Sequence, residues 1–67
     1  MESILIEDIH FDQAEVGTTK STHGDVVYLD FNPYDYVEGQ MLMHYSPDKA
    51  RKLASALILA ADEAEER

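Results

Sequence analysis

From Ser46 onward the chain admits one local conformation, and that segment limits everything before it. Ser46 is a preferred helix N-cap, Pro47 falls at the first helical position, and Asp48 sits where the helix dipole favours an anion. The residues from Lys49 to Arg67 are almost all strong helix formers. Ala50, Leu53, Leu57, Ala60, Ala61 and Ala64 recur at helical spacing. This predicts one apolar stripe laid against a sheet, with small alanines permitting a close approach. Asp48 and Lys52, and Glu63 and Arg67, are spaced for i,i+4 pairing with the acid first. Two features fall outside a one-faced helix. Leu59 projects nearly opposite Leu53 and Leu57, with Ile58 at the stripe's edge. Asp62, Glu63, Glu65 and Glu66 crowd the last turns, where the dipole disfavours each negative charge by about 0.3–1 kcal/mol. That end is expected to fray unless a basic partner steadies it.

A single amphipathic helix needs a surface, and the preceding residues read as strands. Ser3 to Phe11 is rich in Ile, Leu and Phe, with Leu5, Glu7, Ile9 and Phe11 on one face and Ile4, Ile6 and Asp8 on the other. Asp12 to Asp25 is polar and turn-rich, and reads either as a long hairpin loop or as a short extension of two strands around a turn. Val26 to Phe31 is the second strand, Asn32-Pro33-Tyr34-Asp35 a turn, and about Tyr36 to Tyr45 the third strand, with Gly39 marking a bulge or a close backbone approach. The expected architecture is a single α+β domain over residues 1–67. It is a three-stranded antiparallel sheet in the order β-β-β-α, with the helix packed on one face. The second face would leave residues such as Ile4, Ile6, Val26, Tyr28 and Leu42 partly uncovered.

Size and charge then limit function. A chain of 67 residues buries only about 60% of its unfolded surface, and with no cysteine it has neither a disulfide nor a thiolate metal site to compensate. Association is the remaining supplement, and a homodimer is one form of it. Fourteen Asp and Glu against five Lys and Arg give a net charge of −9. Such a field repels phosphate backbones and anionic lipid and attracts basic surfaces, so direct nucleic-acid binding and membrane docking are not expected. The acidic start, MESILIEDIH, lacks the basic residues of a signal peptide, and no apolar run is long enough for a membrane helix. Cytoplasmic location is the expectation.

Catalytic signals are weak. Ser3, Ser21, Ser46 and Ser55 lack a nucleophile motif, and Ser46 is accounted for as a cap. His10, His23 and His44 match no metal-ligand spacing. Glu7 and Asp8, as strand neighbours, point to opposite faces. No enzyme activity, catalytic residue, metal or cofactor is expected. Tyr28, Tyr34, Tyr36 and Tyr45 cluster around the second and third strands with Phe31, Met41 and Met43, residue types that pack cores and also enrich interfaces.

The stretch Tyr45-Ser46-Pro47-Asp48-Lys49-Ala50-Arg51-Lys52-Leu53-Ala54-Ser55-Ala56-Leu57, continued by Ala60-Ala61-Asp62-Glu63-Ala64, resembles small uncharacterised proteins of actinomycetes and their phages. Those place a short sheet before a helix of this kind, and the resemblance implies no activity. In composition the chain is also similar to phage-encoded inhibitors, including anti-CRISPR proteins. The reading that follows is a non-enzymatic acidic interaction module. It would be of phage- or mobile-element type, anti-CRISPR-like or nucleic-acid-mimicking, and would bind a basic surface of a larger protein. The expected contact residues are Asp30, Tyr34, Asp35, Tyr36, Glu38, Ile58, Leu59, Asp62, Glu63, Glu65 and Glu66. The alternatives are a structural homo-oligomerisation module and, behind it, a small metal-dependent enzyme.

Overall fold

The structure is a computed structural model, and it describes residues 2–22, 24–31, 33 and 42–66. Four strands precede the helix: β1 Ile4–Glu7, β2 Gln13–Ser21, β3 Gly24–Asp30, β4 Leu42–Tyr45, then α1 Pro47–Glu65. They form one antiparallel sheet in the order β1-β2-β3-β4, each strand beside its chain neighbour. The α+β class and the C-terminal helix match expectation. The strand count does not, because Gln13–Ser21 is a full strand of 9 residues: of the two readings of that segment, the strand extension around a turn is the nearer, and it is far longer than expected. Its composition is compatible with that role: Val16, Thr18 and Thr19 are β-branched, and the backbone pairs with β1 from Gln13 to Val16 and with β3 from Glu15 to Ser21. The first strand is shorter than expected, since Asp8 to Asp12 forms the turn into β2. Gly39 and most of the expected third strand lie outside the described residues.

The register separates two faces. Ile4, Ile6, Ala14, Val16, Val27, Leu29, Met43 and Tyr45 align across the sheet and are apolar. The opposite face mixes Leu5, Val26, Tyr28 and Leu42 with Glu7, Gln13, Glu15, Thr19, Asp30 and His44. Tyr28 stands opposite Gly17, and a Cβ added at Gly17 would lie 2.7 Å from the phenol ring. Glycine here leaves room for the far end of the aromatic ring to lie over the strand.

Ser46 caps α1, its side chain accepting from the Lys49 backbone N–H at 3.3 Å, a contact of the kind worth about 1 kcal/mol. Asp48 pairs with Arg51 at 3.2 Å rather than with Lys52, and both side chains are exposed, so the pair adds a few tenths of a kcal/mol at about i,i+3 spacing. The partner expected for Glu63, Arg67, is outside the described residues.

The helix meets β3 and β4 and neither β1 nor β2. Ala50 and Leu53 are half-buried there, but Leu57, expected on the same buried stripe, is 61% exposed. The buried residues among those described are Gly17, Asp30 and Pro33; no Val, Ile, Leu, Met, Phe or Tyr joins them. The molecule is correspondingly extended. Its radius of gyration is 13.5 Å, where a compact chain of this length has about 11 Å. Its accessible surface is 5774 Å², against about 4,300 Å² for a folded monomer of this mass.

Candidate interaction surfaces

The β1–β2 connection is built by one carboxylate. The Asp8 side chain accepts from the backbone N–H of His10 at 2.7 Å and of Asp12 at 3.0 Å. The Phe11 N–H donates to the Asp8 carbonyl at 3.2 Å, and the Asp8 N–H donates to the Asp12 carbonyl at 2.9 Å. Closing the loop this way places Phe11 at φ 66°, a left-handed conformation that costs an ordinary L-residue roughly 1–2 kcal/mol. The turn presents its apolar side chains outward: Ile9 is 88% and Phe11 78% exposed. Glu7, Asp8 and Asp12 flank them, and no Lys or Arg occurs in the sequence before Lys20. A shallow open groove beside the tip is lined by Ile6, Ala14, Phe31 and the acids Glu7, Asp8 and Asp12, with Gln13. An aromatic and an aliphatic side chain within an acidic frame suit a basic protein surface with a small apolar pocket. The strand pattern had assigned Ile9 and Phe11 to a sheet face. The signal for the turn was Asp8, whose side chain bonds backbone two residues on in turns of this kind.

The mixed sheet face holds a second cluster. The Ser3 hydroxyl donates to Glu15 at 3.0 Å, Gln13 Nε2 donates to Glu7 at 3.0 Å, and Glu15 stands opposite Asp30 in the register. Removal of the Tyr28 phenol from water raises its pKa above the ordinary value, and the Glu15 carboxylate raises it further, with Ser3 opposing. A raised value means that the folded state holds this proton more tightly. The associated stability is therefore intact below pH of about 10 and is lost as pH rises through the folded value. In an alkaline absorbance titration, one tyrosine should form phenolate later than free tyrosine. Tyr28→Phe should abolish that late step, and its persistence would refute the assignment.

Of the expected contact residues, Asp30 is only 4% exposed and so is no part of the acidic surface. It sits at the end of β3 between Glu15 of β2 and Leu42 of β4. Tyr34, Asp35, Tyr36 and Glu38 lie outside the described residues. Ile58 and Leu59 are 62% and 70% exposed, and Asp62, Glu63, Glu65 and Glu66 are exposed on the last turns of α1. The helix end is thus separate in the chain from the hairpin tip, giving two surfaces of different character. Among the described residues no three His, Asp or Glu side chains gather as a metal set, and no helix is long and apolar enough to cross a membrane. Compared with known proteins, the chain matches no family model, no curated protein and no solved structure.

Proposed function

We propose that the protein is a non-enzymatic interaction module that docks on a basic surface of a larger protein through its β1–β2 hairpin tip. The observation that carries this reading is the pair Ile9 and Phe11, held almost fully in solvent by an Asp8-closed turn and framed by acids. Exposed large apolar side chains at a rigid tip supply an anchor, and the surrounding carboxylates supply steering and selectivity. Its strongly acidic composition, similar to that of phage-encoded inhibitors, suits blocking of a site that would otherwise receive a polyanion. Cytoplasmic action, without metal or cofactor, is part of the same proposal.

A photo-crosslinking side chain at position 10, introduced in the cells that make the protein, tests it. The expected adduct is one larger basic protein. The adduct should fade with Ile9→Ser and Phe11→Ser, and binding of the purified pair should weaken steeply as salt rises. Binding indifferent to both tip substitutions and to salt would reject the hairpin tip as the docking site.

A further inference from the structure

We infer that α1 is also a self-association surface, and that its partner is the same helix of a second copy running antiparallel. The segment from Ala56 to Ala61 is Ala-Leu-Ile-Leu-Ala-Ala, apolar on every side of the helix, and Leu57, Ile58 and Leu59 are all more than half exposed. A helix turn that is apolar all round is ordinarily buried. The strands leave it open, because β1 and β2 do not reach the helix at all.

The charge pattern selects the occupant. Lys49, Arg51 and Lys52, three of the five basic residues, lie in the first turns of α1, and Asp62, Glu63 and Glu65 lie in its last. The complement of such a helix is itself, reversed. Arg51, Ala54, Ile58, Ala61 and Glu65 follow one another at alternating three- and four-residue steps, which places them on one stripe. Arg51 and Glu65 lie equally far from Ile58, about 10 Å along the axis in either direction. A two-fold axis at Ile58 therefore sets Arg51 of each copy beside Glu65 of the other, in addition to or in place of its exposed pair with Asp48, and sets Ile58 against its own counterpart. Ala54 and Ala61 let the backbones approach closely. An interface of this isologous kind closes on itself as a dimer.

Area points the same way. The protomer as a whole exposes roughly 1,500 Å² more than a compact monomer of its mass, and a helix pair through Leu57 to Leu59 would cover part of that excess. The inference is independent of the hairpin tip, which lies on other elements.

Sedimentation equilibrium decides it. The wild-type chain should weigh about twice its 7.6 kDa mass at micromolar concentration. Ile58→Asp should weigh one chain while keeping its helix signal by circular dichroism, because Ile58 is exposed in the protomer. Arg51→Glu or Glu65→Arg alone should weaken dimerisation by about tenfold, since each exchange turns two attractive pairs into repulsive ones. The double exchange should restore the dimer. Ile9→Ser should leave the mass unchanged, which keeps this result separate from the docking reading. A monomeric wild type, a dimer indifferent to Ile58→Asp, or single charge exchanges that the double exchange does not rescue would each overturn the inference.

Discussion

Gly17→Ala should lower stability by no more than about 1 kcal/mol, because displacing the end of the Tyr28 ring is partly offset by the better strand propensity of alanine. The new carbon would lie 2.7 Å from the Tyr28 ring, closer than two such atoms can approach. The atoms in the way are the far end of the ring, so the tyrosine turns aside and the strand stays. Turning aside removes the ring from Gly17 and disturbs its contact with Glu15 and Ser3. For a domain this small, each kcal/mol moves the midpoint of thermal unfolding by about 4–8 °C, a shift easily read by circular dichroism. The same substitution in a Tyr28→Ala background should be harmless or slightly favourable, because alanine suits a strand better than glycine does. The two effects must therefore be strongly non-additive. If the double-mutant cycle shows simple addition, the ring does not depend on the missing side chain.

The hairpin turn gives the second large effect, and it has two signs. Asp8→Ala removes the acceptor for the His10 and Asp12 N–H groups and should cost about 1–2 kcal/mol. Phe11→Gly should do the opposite. It removes the left-handed strain on an aromatic residue, and after the extra freedom of glycine in the unfolded chain a gain of about 0.5–1 kcal/mol remains. Urea midpoints of the two variants should lie on either side of the wild type. A Phe11→Gly protein less stable than wild type would mean that the side chain, 78% exposed, is held by contacts and not merely displayed. The variant also separates roles: a more stable fold with weaker partner binding is the signature of a residue kept for recognition, where stability and function trade against each other.

These positions show where sequence reasoning succeeds and where it stops. The helix was legible because its signals are local: Ser46, Pro47 and Asp48 mark its start within three residues, and Lys49 onward has no competing conformation. Strand β3 was legible from the run Val26 to Leu29. Strand β2 was not, because Gly17, Lys20 and Ser21 read as turn chemistry when considered singly, and its identity comes from pairing with β3 over Glu15 to Ser21 and with β1 over Gln13 to Val16. The position of Asp30 between Glu15 and Leu42 likewise depends on register, since both are remote in sequence. Phe11 carries no turn signal of its own; its backbone conformation is imposed by Asp8. Angular spacing set Leu59 away from the core stripe, and it is 70% exposed, but the same spacing set Leu57 in that stripe and Ile58 at its edge, and both are more than half exposed.

Because every strand lies beside its predecessor in the chain, assembly needs no distant partner to arrive first. The first two hairpins close over short connections, and the α-helix is last in the element order. Such sequence-local architectures cross their folding barrier rapidly. The β1–β2 turn, closed by contacts within five residues, can thus take its shape independently of the helix at the other end of the chain.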